Sequence, residues 1–559
     1  MLLLFIILFI IQTLSTEPSR FDSLIIYQIN VATYNNGGNG NGYTKGWGTK
    51  GQNFSGDLLG IIKQLDHIAE MGFNAIWLTP IFDSGYTEEQ DFIGNCSKHS
   101  STGYFGVDYF NVDPHFGTNE QFEQLVKKAH RLNIYVILDG VFGHTKGSMC
   151  GVSIKESPSG KLPICLTEGC GINTEYNVLD YRRKETIEFF QEVTKYWIEK
   201  YKIDGWRLDV ANELTTTPSS DLKKASEGNV AREIVKAVKE ATQKNKQNGE
   251  IWGILGYIVG EIWDGWDMRL KDWYGSHEGD SLPSYFDFPT YYHLIKSFTQ
   301  EWNGNKNNDF FGLHLAQTQF DNSYPSWAHP NCFIGNHDLH RVGNLIRKRW
   351  NVGPKSKRYW DIHFAMQTYQ FLHRGPITIY YGEEIGEIVD CYHKTEDCMG
   401  RDDNSARSNP TPEHLLSQFQ RENREKMERL LHWRKIHPLS YCKQCKSSFD
   451  IDGHSVIYKR FNMNSSTDAI DQFIYIANFN ENVPKKVNFN IKGYLYDVIT
   501  GDQIKGDEEF IIQPFTSYLL EVYRIPGSQI IEKTCSMAIK QFVGNRIVSK
   551  SCLLLSNHL

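Results

Sequence analysis

The chain has 559 residues, with 59 Lys and Arg against 66 Asp and Glu, for a net charge of −7. That length supports a large core and more than one domain. The mild acidity, without a basic run in the body of the chain, excludes the electrostatic footprint of a nucleic-acid binder.

Residues 1–16 (MLLLFIILFIIQTLST) open with an apolar run of about a dozen residues, too short to span a bilayer and typical of a signal-peptide core. Secretion, or delivery to a lysosomal or phagosomal lumen, is therefore expected, with no stable membrane span. Asn-x-Ser/Thr triplets at Asn53, Asn95 and Asn464 fit that route. The chain carries 11 Cys, and in an oxidising compartment an odd count leaves at least one without a partner inside the chain. Cys442 and Cys445 form a lone CxxC with no second pair or histidine pair to complete a metal site, so a local bridge is expected.

Residues 24–28 read as a short buried strand, followed by a Gly/Asn-rich loop over 35–56. Helical periodicity over 57–71 (Leu58, Ile61, Ile62, Leu65, Ile68) stops at Gly72, and a second strand follows at 75–78. The alternation then repeats. Helices near 119–132, 184–201, 227–244, 290–301 and 357–373 lead into strands at 135–139, around Asp209, at 256–261, at 333–335 and at 377–381. Apolar strands alternating with amphipathic helices predict a parallel sheet with crossover helices. With a weakly marked strand near Tyr285 the count approaches about eight units, which predicts a (β/α)8 TIM barrel over residues 17–440, with a short loop insertion at 145–178. No glycine fingerprint for a nucleotide follows any strand, so no organic cofactor is expected. After a helical stretch at 412–436 the pattern alternates over 447–523, as in a C-terminal antiparallel β-sandwich. The tail 526–559 is basic, carries two Cys and gives no fold signal.

Polar residues gather where the strands end. Asp139 and His144 follow the third, Arg207 and Asp209 mark the fourth, Glu261 closes the fifth, and His337 and Asp338 close the seventh. Residues two apart on a strand share a face, so Arg207 and Asp209 project together. Alone, that pair reads equally as a structural ion pair or as a carboxylate kept charged for chemistry. In a barrel, however, all C-terminal strand ends open on one face, so these groups converge. Two carboxylates of different environment are the working parts of a glycosidase. Asp209 beside Arg207 suits attack or stabilisation of a sugar cation. Glu261, next to apolar Ile262 and Trp263, suits proton donation. Asp338 would grip sugar hydroxyls, with His144 and His337 as neutral partners. The 13% of aromatic residues suits sugar stacking and a big core alike.

These pieces resemble the conserved regions of the α-amylase family of glycoside hydrolases (family 13). Asp139-Gly140-Val141-Phe142-Gly143-His144 is similar to the first region and Gly205-Trp206-Arg207-Leu208-Asp209-Val210-Ala211-Asn212-Glu213 to the second. Gly260-Glu261-Ile262-Trp263 resembles the third and Phe333-Ile334-Gly335-Asn336-His337-Asp338 the fourth. Gly103-Tyr104-Phe105-Gly106-Val107-Asp108 and Gly375-Pro376-Ile377-Thr378-Ile379-Tyr380-Tyr381-Gly382-Glu383-Glu384 extend the match in the family's order. The resemblance implies that Asp209 is the nucleophile of a retaining mechanism, Glu261 the general acid/base and Asp338 the transition-state stabiliser. It implies that Arg207, His144, His337, Tyr104 and Asp139 hold the sugar, and that an α-glucan is the partner of a monomeric enzyme.

The chain departs from that family pattern in two places. The family's first region usually has Asn before its His, and that Asn commonly binds calcium; here it is Gly143, so the main calcium site is not expected. A second calcium site is open at the Gly-rich loop, with Asn35, Asn39, Asn41, Gly56 and Asp57 as oxygen donors, a flexible turn being the equal alternative. The second region ends Asn212-Glu213, which looks more like cyclomaltodextrinases and neopullulanases than typical α-amylases. The start of the barrel soon after the signal is instead like secreted α-amylases. Action on α-1,4-glucosidic bonds as an α-amylase is the expectation; an α-glucosidase, cyclomaltodextrinase, maltogenic enzyme or transglycosylase is the alternative. A non-catalytic amylase-like binding protein is the reading from another class, and retention of Asp209, Glu261 and Asp338 argues against it.

Overall fold

Eight strands form one parallel sheet: β1 (Ile25–Ile29), β2 (Ala75–Leu78), β3 (Tyr135–Gly140), β4 (Gly205–Leu208), β5 (Tyr257–Gly260), β6 (Ser284–Tyr285), β7 (Cys332–Phe333) and β8 (Ile377–Tyr380). Their order is β6-β5-β4-β3-β2-β1-β8-β7. The two ends of that row meet. Phe286 bridges Asn331 in parallel, the Asn331 N–H donates to the Tyr285 carbonyl at 2.8 Å, and the Asp287 N–H to the Asn331 carbonyl at 2.8 Å. The sheet is thus a closed barrel, as the strand and helix alternation predicts. These strands are buried almost throughout, which is why they read as continuous apolar runs.

The computed structural model describes residues 20–38, 42–43, 46, 52–86, 100–147, 152–165, 176–214, 230–263, 269–299, 310–389, 406–437, 445–452, 454–462, 470–491 and 493–523. The expected signal segment 1–16, the tail 526–559, Asn39, Asn41 and the acceptor triplets at Asn95 and Asn464 lie outside them. Among the described residues no helix is long and apolar enough to cross a membrane. Cys332 is a buried free thiol. Cys165 is disulfide-bonded, and Cys150 and Cys170 of the same loop lie outside the described residues.

The helices between the strands are α1 (Leu58–Met71), α2 (Asn119–Arg131), α3 (Lys184–Tyr201), α4 (Val230–Gln247), α5 (Phe288–Thr299), α6 (Phe310–Ser323), α7 (Val342–Trp350) and α8 (Lys357–Phe371), with α9 (Gln418–Ile436) after β8. Helix α1 starts where Asp57 accepts the Gly60 N–H and stops at left-handed Gly72; α2 opens with a capping box of Thr118 and Gln121. Sequence periodicity passes over α6 and α7. The first opens Phe-Phe-Gly-Leu and carries no clean apolar stripe, and the second has only 9 residues.

The insertion after β3 opens as a hairpin, His144–Lys146 paired antiparallel with Tyr176–Val178. The expected C-terminal sandwich is a six-stranded antiparallel sheet faced by the pair Lys485–Val487 and Phe510–Ile512. Alternation along its strand Ile470–Asn478 explains how it docks. Ile474 and Ile476 enter the core between the two layers, whereas Phe473, Tyr475 and Ala477 pack with the barrel. Tyr475 also donates its hydroxyl to the Ala365 carbonyl of α8 at 3.0 Å.

Candidate active site

At the C-terminal end of β4 lies Arg207, fully buried and in contact with three carboxylates. Its Nη1 is 2.8 Å from Asp139 Oδ1 and 2.8 Å from Asp209 Oδ1, and its Nη2 is 2.8 Å from Glu261 Oε2. The barrel register makes this possible. Asp139 of β3 stands beside Arg207, and Gly260, the residue before Glu261, stands beside Leu208. The guanidinium also lies over the rings of Trp77, 5.1 Å to the centroid, and Tyr104, 5.6 Å.

Between Asp209 and the next turn, Val210 takes φ 39 and ψ 55, a left-handed conformation that a β-branched residue rarely adopts. That bend turns the Val210 N–H toward Glu261 Oε2, at 3.3 Å. Glu261 Oε1 accepts the indole N–H of Trp263 at 2.9 Å.

A second group of contacts runs from Asp139 toward β7. Asp139 Oδ2 accepts the Trp77 indole N–H at 3.1 Å and the Tyr104 hydroxyl at 2.8 Å. Tyr104 is held by the turn before it: Gly103 has φ +80, and a Cβ there would lie 2.0 Å from the Pro80 carbonyl oxygen. The Tyr104 hydroxyl is also 2.6 Å from His337 Nε2, and the two rings are parallel, with centroids 5.2 Å apart. His337 Nδ1 sits 2.7 Å from Gln28 Nε2 of β1. Asp338 closes the row. Its Oδ2 is 3.0 Å from His337 Nε2, its Oδ1 accepts Arg407 Nη2 at 2.6 Å, and its backbone N–H donates to Asn336 Oδ1 at 2.8 Å.

The carboxylates differ in electrostatics. Burial pushes Glu261 up; Arg207 opposes this, and Asp209 and Asp338 add to it. Burial also pushes Asp139 up to about 7, against the pull of Arg207. For Asp338 burial acts in the same direction, but His337, Arg407 and Arg207 outweigh it and hold the carboxyl well below the usual range. His337 itself is lowered by burial, which keeps the imidazole neutral near pH 7 and leaves the arginines as the permanent cations. A carboxyl raised by burial near one held ionised is a pairing suited to bond cleavage with proton donation.

The structure brings Asp209, Glu261, Asp338, Arg207, Asp139, Tyr104 and His337 into one array, as the strand-end reading predicts. Arg207 and Asp139, expected to hold the sugar, are fully buried and touch Asp209, Glu261, Tyr104 and Trp77. Asp338 has 22% of its side chain exposed and Asp209 9%. His144 Nε2 lies 3.1 Å from the Tyr104 carbonyl oxygen. Trp263 differs too: rather than only desolvating Glu261, it donates to it while its ring is half exposed.

Gln28, Trp77 and Arg407 are not among the site residues that the sequence reading names. Gln28 left a signal, an amide at the C-terminal end of an apolar strand. Arg407, 69 residues from its partner Asp338, left none.

At the glycine-rich loop, Asp57 Oδ1 accepts the Gly37 and Gly60 N–H groups at 2.8 and 2.6 Å, the Lys63 ammonium donates to the Gly37 carbonyl at 2.8 Å, and the Asn35 amide donates to the Gly60 carbonyl at 3.4 Å. Gly56 donates its N–H to the Ala32 carbonyl. The described part of the loop is thus tied down by hydrogen bonds around a helix cap. Gly143 offers only its carbonyl, which accepts the Leu179 N–H at 3.0 Å.

Residues 28–156 and 172–463 match the family model described as alpha amylase, catalytic domain, and the chain belongs to that family. Among curated proteins it is 28% identical over 411 residues to a cyclomaltodextrinase of Thermoanaerobacter pseudethanolicus, a match covering 68% of this chain and 60% of that protein. It is 26% identical over 396 residues to a maltogenic alpha-amylase of Bacillus acidopullulyticus, covering 66% of this chain and 57% of that one. The chain thus spans less than two thirds of the length of these relatives. Among solved structures, AmyP in complex with maltose is 33% identical, with a TM-score of 0.76 over 91% of this chain and 98% of that one.

Proposed function

We propose that the protein is a retaining glycoside hydrolase that cleaves α-1,4-glucosidic bonds in short linear and cyclic maltooligosaccharides. The observation that carries this is the single buried guanidinium shared by Asp139, Asp209 and Glu261, with Asp338 on the far side of the Tyr104 and His337 pair. Asp209 attacks the anomeric carbon to form a glycosyl-enzyme. Glu261, whose hold on its proton burial strengthens, gives that proton to the leaving oxygen and then takes one from the incoming water. Asp338, held ionised, and neutral His337 grip sugar hydroxyls as the ring distorts, with His144 on the rim. Arg207 and Asp139 fix Asp209 and Glu261 in place.

The preference for short and cyclic substrates is supported by the names of the relatives, cyclomaltodextrinases and maltogenic enzymes, and by Asn212-Glu213 in this chain. Endo action on starch as an α-amylase is the second reading, favoured by likeness to a protein named alpha-amylase 3 of Dictyoglomus thermophilum, 28% identical over 356 residues. Delivery by the segment 1–16, and calcium at the 35–57 loop with Asn35, Gly56 and Asp57, belong to the proposal on sequence grounds alone. A product profile on cyclodextrin, a defined maltooligosaccharide and starch, with and without a chelator, tests all but delivery. Faster turnover of cyclodextrin and the oligosaccharide than of starch supports the first reading. Starch cut at least as fast as either overturns it in favour of the second, and unchanged rates under chelation remove calcium.

A further inference from the structure

The segment 406–409 reaches the site from beyond β8 and is fastened on several sides. The hydroxyls of Tyr380 and Tyr381 donate to the Ala406 and Ser408 carbonyls at 3.1 and 2.5 Å. Asn409 Nδ2 donates to the Thr33 and Asn53 carbonyls at 2.8 and 2.7 Å, and its backbone N–H to Gln52 Oε1 at 2.7 Å. Arg341, fully buried, donates to the Tyr381 carbonyl and, at 3.4 Å, to Ser408 Oγ. Its guanidinium lies over the rings of Tyr380 and Tyr381, 4.4 and 4.9 Å to the centroids. Arg341 and Asp338 belong to one loop after β7, so that loop is tied to the 406–409 strut at two points.

From this strut Arg407 extends to the loop. Its Nη2 donates to Asp338 Oδ1 at 2.6 Å and its Nε to the His337 carbonyl at 3.2 Å. The other carboxylate oxygen, Oδ2, faces His337 Nε2 at 3.0 Å. A carboxylate at the mouth of a cleft is free to rotate unless both oxygens are held, and here they are held from two different elements.

We propose that Arg407 is a positioning residue, presented by a strut that Arg341 braces, which fixes both the orientation and the ionised state of Asp338. This rests on the reading of Asp338 as part of a sugar-cleaving site. The groups that face Asp338 are His337 on its own loop, Arg407 on the strut, Arg207 on β4, Glu261 after β5 and Tyr104 before β3. Of these only the arginines are permanent cations, and Arg207 is already engaged by three other carboxylates. Without Arg407, burial and the negative charge of Glu261, when ionised, would both work against ionised Asp338.

Two measurements on the full-length protein test this. In the first, Asp338 is followed by the infrared carboxylate band that D338N removes. R407Q should protonate it at a pH higher by about one unit or more, and R407K by less. In the second, hydrolysis of a maltooligosaccharide is measured as a mutant cycle. R407Q should lower kcat/KM about tenfold or more in the native background, mostly through kcat, and less than about threefold in the D338N background. Equal losses in both backgrounds, or an Asp338 band that titrates alike with and without Arg407, would overturn the proposal. If thermal melting shows R407Q unfolded, R407K is read in both arms against the same criteria. A native protein that hydrolyses no α-glucan overturns the proposed function instead, and the infrared arm then decides on Arg407 alone.

Discussion

The two sides of the cleft use the same residue types to opposite effect. On the β4 and β5 side one arginine serves three carboxylates, each 2.8 Å away, and burial still pushes Glu261 up and Asp139 to about 7. On the β7 side one carboxylate, Asp338, has His337 at 3.0 Å and Arg407 at 2.6 Å, and is held low in spite of burial. Glu261 and Asp139 are more buried and share one guanidinium, whereas Asp338 has more surface and pairs with Arg407, and both differences favour its ionised form. The crowded side is suited to giving a proton, and the well-paired side to holding a charge.

The largest effect expected is on the proposed proton donor. Replacing Glu261 by Gln should lower kcat on an unactivated maltooligosaccharide by about 10²–10⁴-fold. Glycosyl-enzyme formation from an aryl glycoside, whose leaving group needs no proton, should suffer far less. Equal losses on both substrates in that step would assign the acid elsewhere.

Removing the shared cation should break the crowded side. Arg207→Leu leaves three buried carboxylates facing one another, which should cost about 3–5 kcal/mol of stability at neutral pH. The deficit should shrink on acidification, because carboxyls raised in the folded state bind protons there more readily than in the unfolded chain. Thermal melts at neutral and acidic pH check it, and a deficit indifferent to pH would contradict crowding as the cause.

A paired comparison sharpens the contrast. The Asp139 carboxyl, raised when folded, opposes folding increasingly as pH climbs from the usual carboxylate range to about 7. Asp338, lowered when folded, stabilises above the usual range, and that contribution is lost as pH falls toward its folded value. Relative to the native protein, D139N should therefore gain as pH rises through the acid range while D338N loses. The two slopes should have opposite sign and a size of about 1 kcal/mol per pH unit. Melting curves across that range give both, and slopes of the same sign would remove the distinction between the two sides.

The smallest effect concerns the bend that joins Asp209 to Glu261. Val210→Gly relieves a left-handed backbone at φ 39 and should stabilise by about 1 kcal/mol, less whatever the part-buried side chain contributes. Calorimetry reads the gain, and a clear loss would mean that the side chain outweighs the strain.

By itself the sequence determined which residues could do chemistry and on what frame. Strands buried on both faces have to be apolar runs, and helices with one buried face have to be periodic, so most of the barrel and the strand-end positions of Asp209, Glu261 and Asp338 were legible. The tertiary structure alone decided the rest. Strands β6 and β7, expected near Tyr285 and at 333–335, have two residues each, and their closing of the barrel through Phe286 and Asn331 is carried by no local pattern. Arg407 lies 69 residues from Asp338, and Gln28 lies 309 from His337. Local pattern reports period and residue type, whereas charge balance depends on distances of a few ångströms between segments far apart in the chain. That is why the pairing of Arg207 with Asp209 was readable from their spacing, while the fact that Arg207 is fully buried and shared by three acids, and Asp338 held by a second arginine, was not.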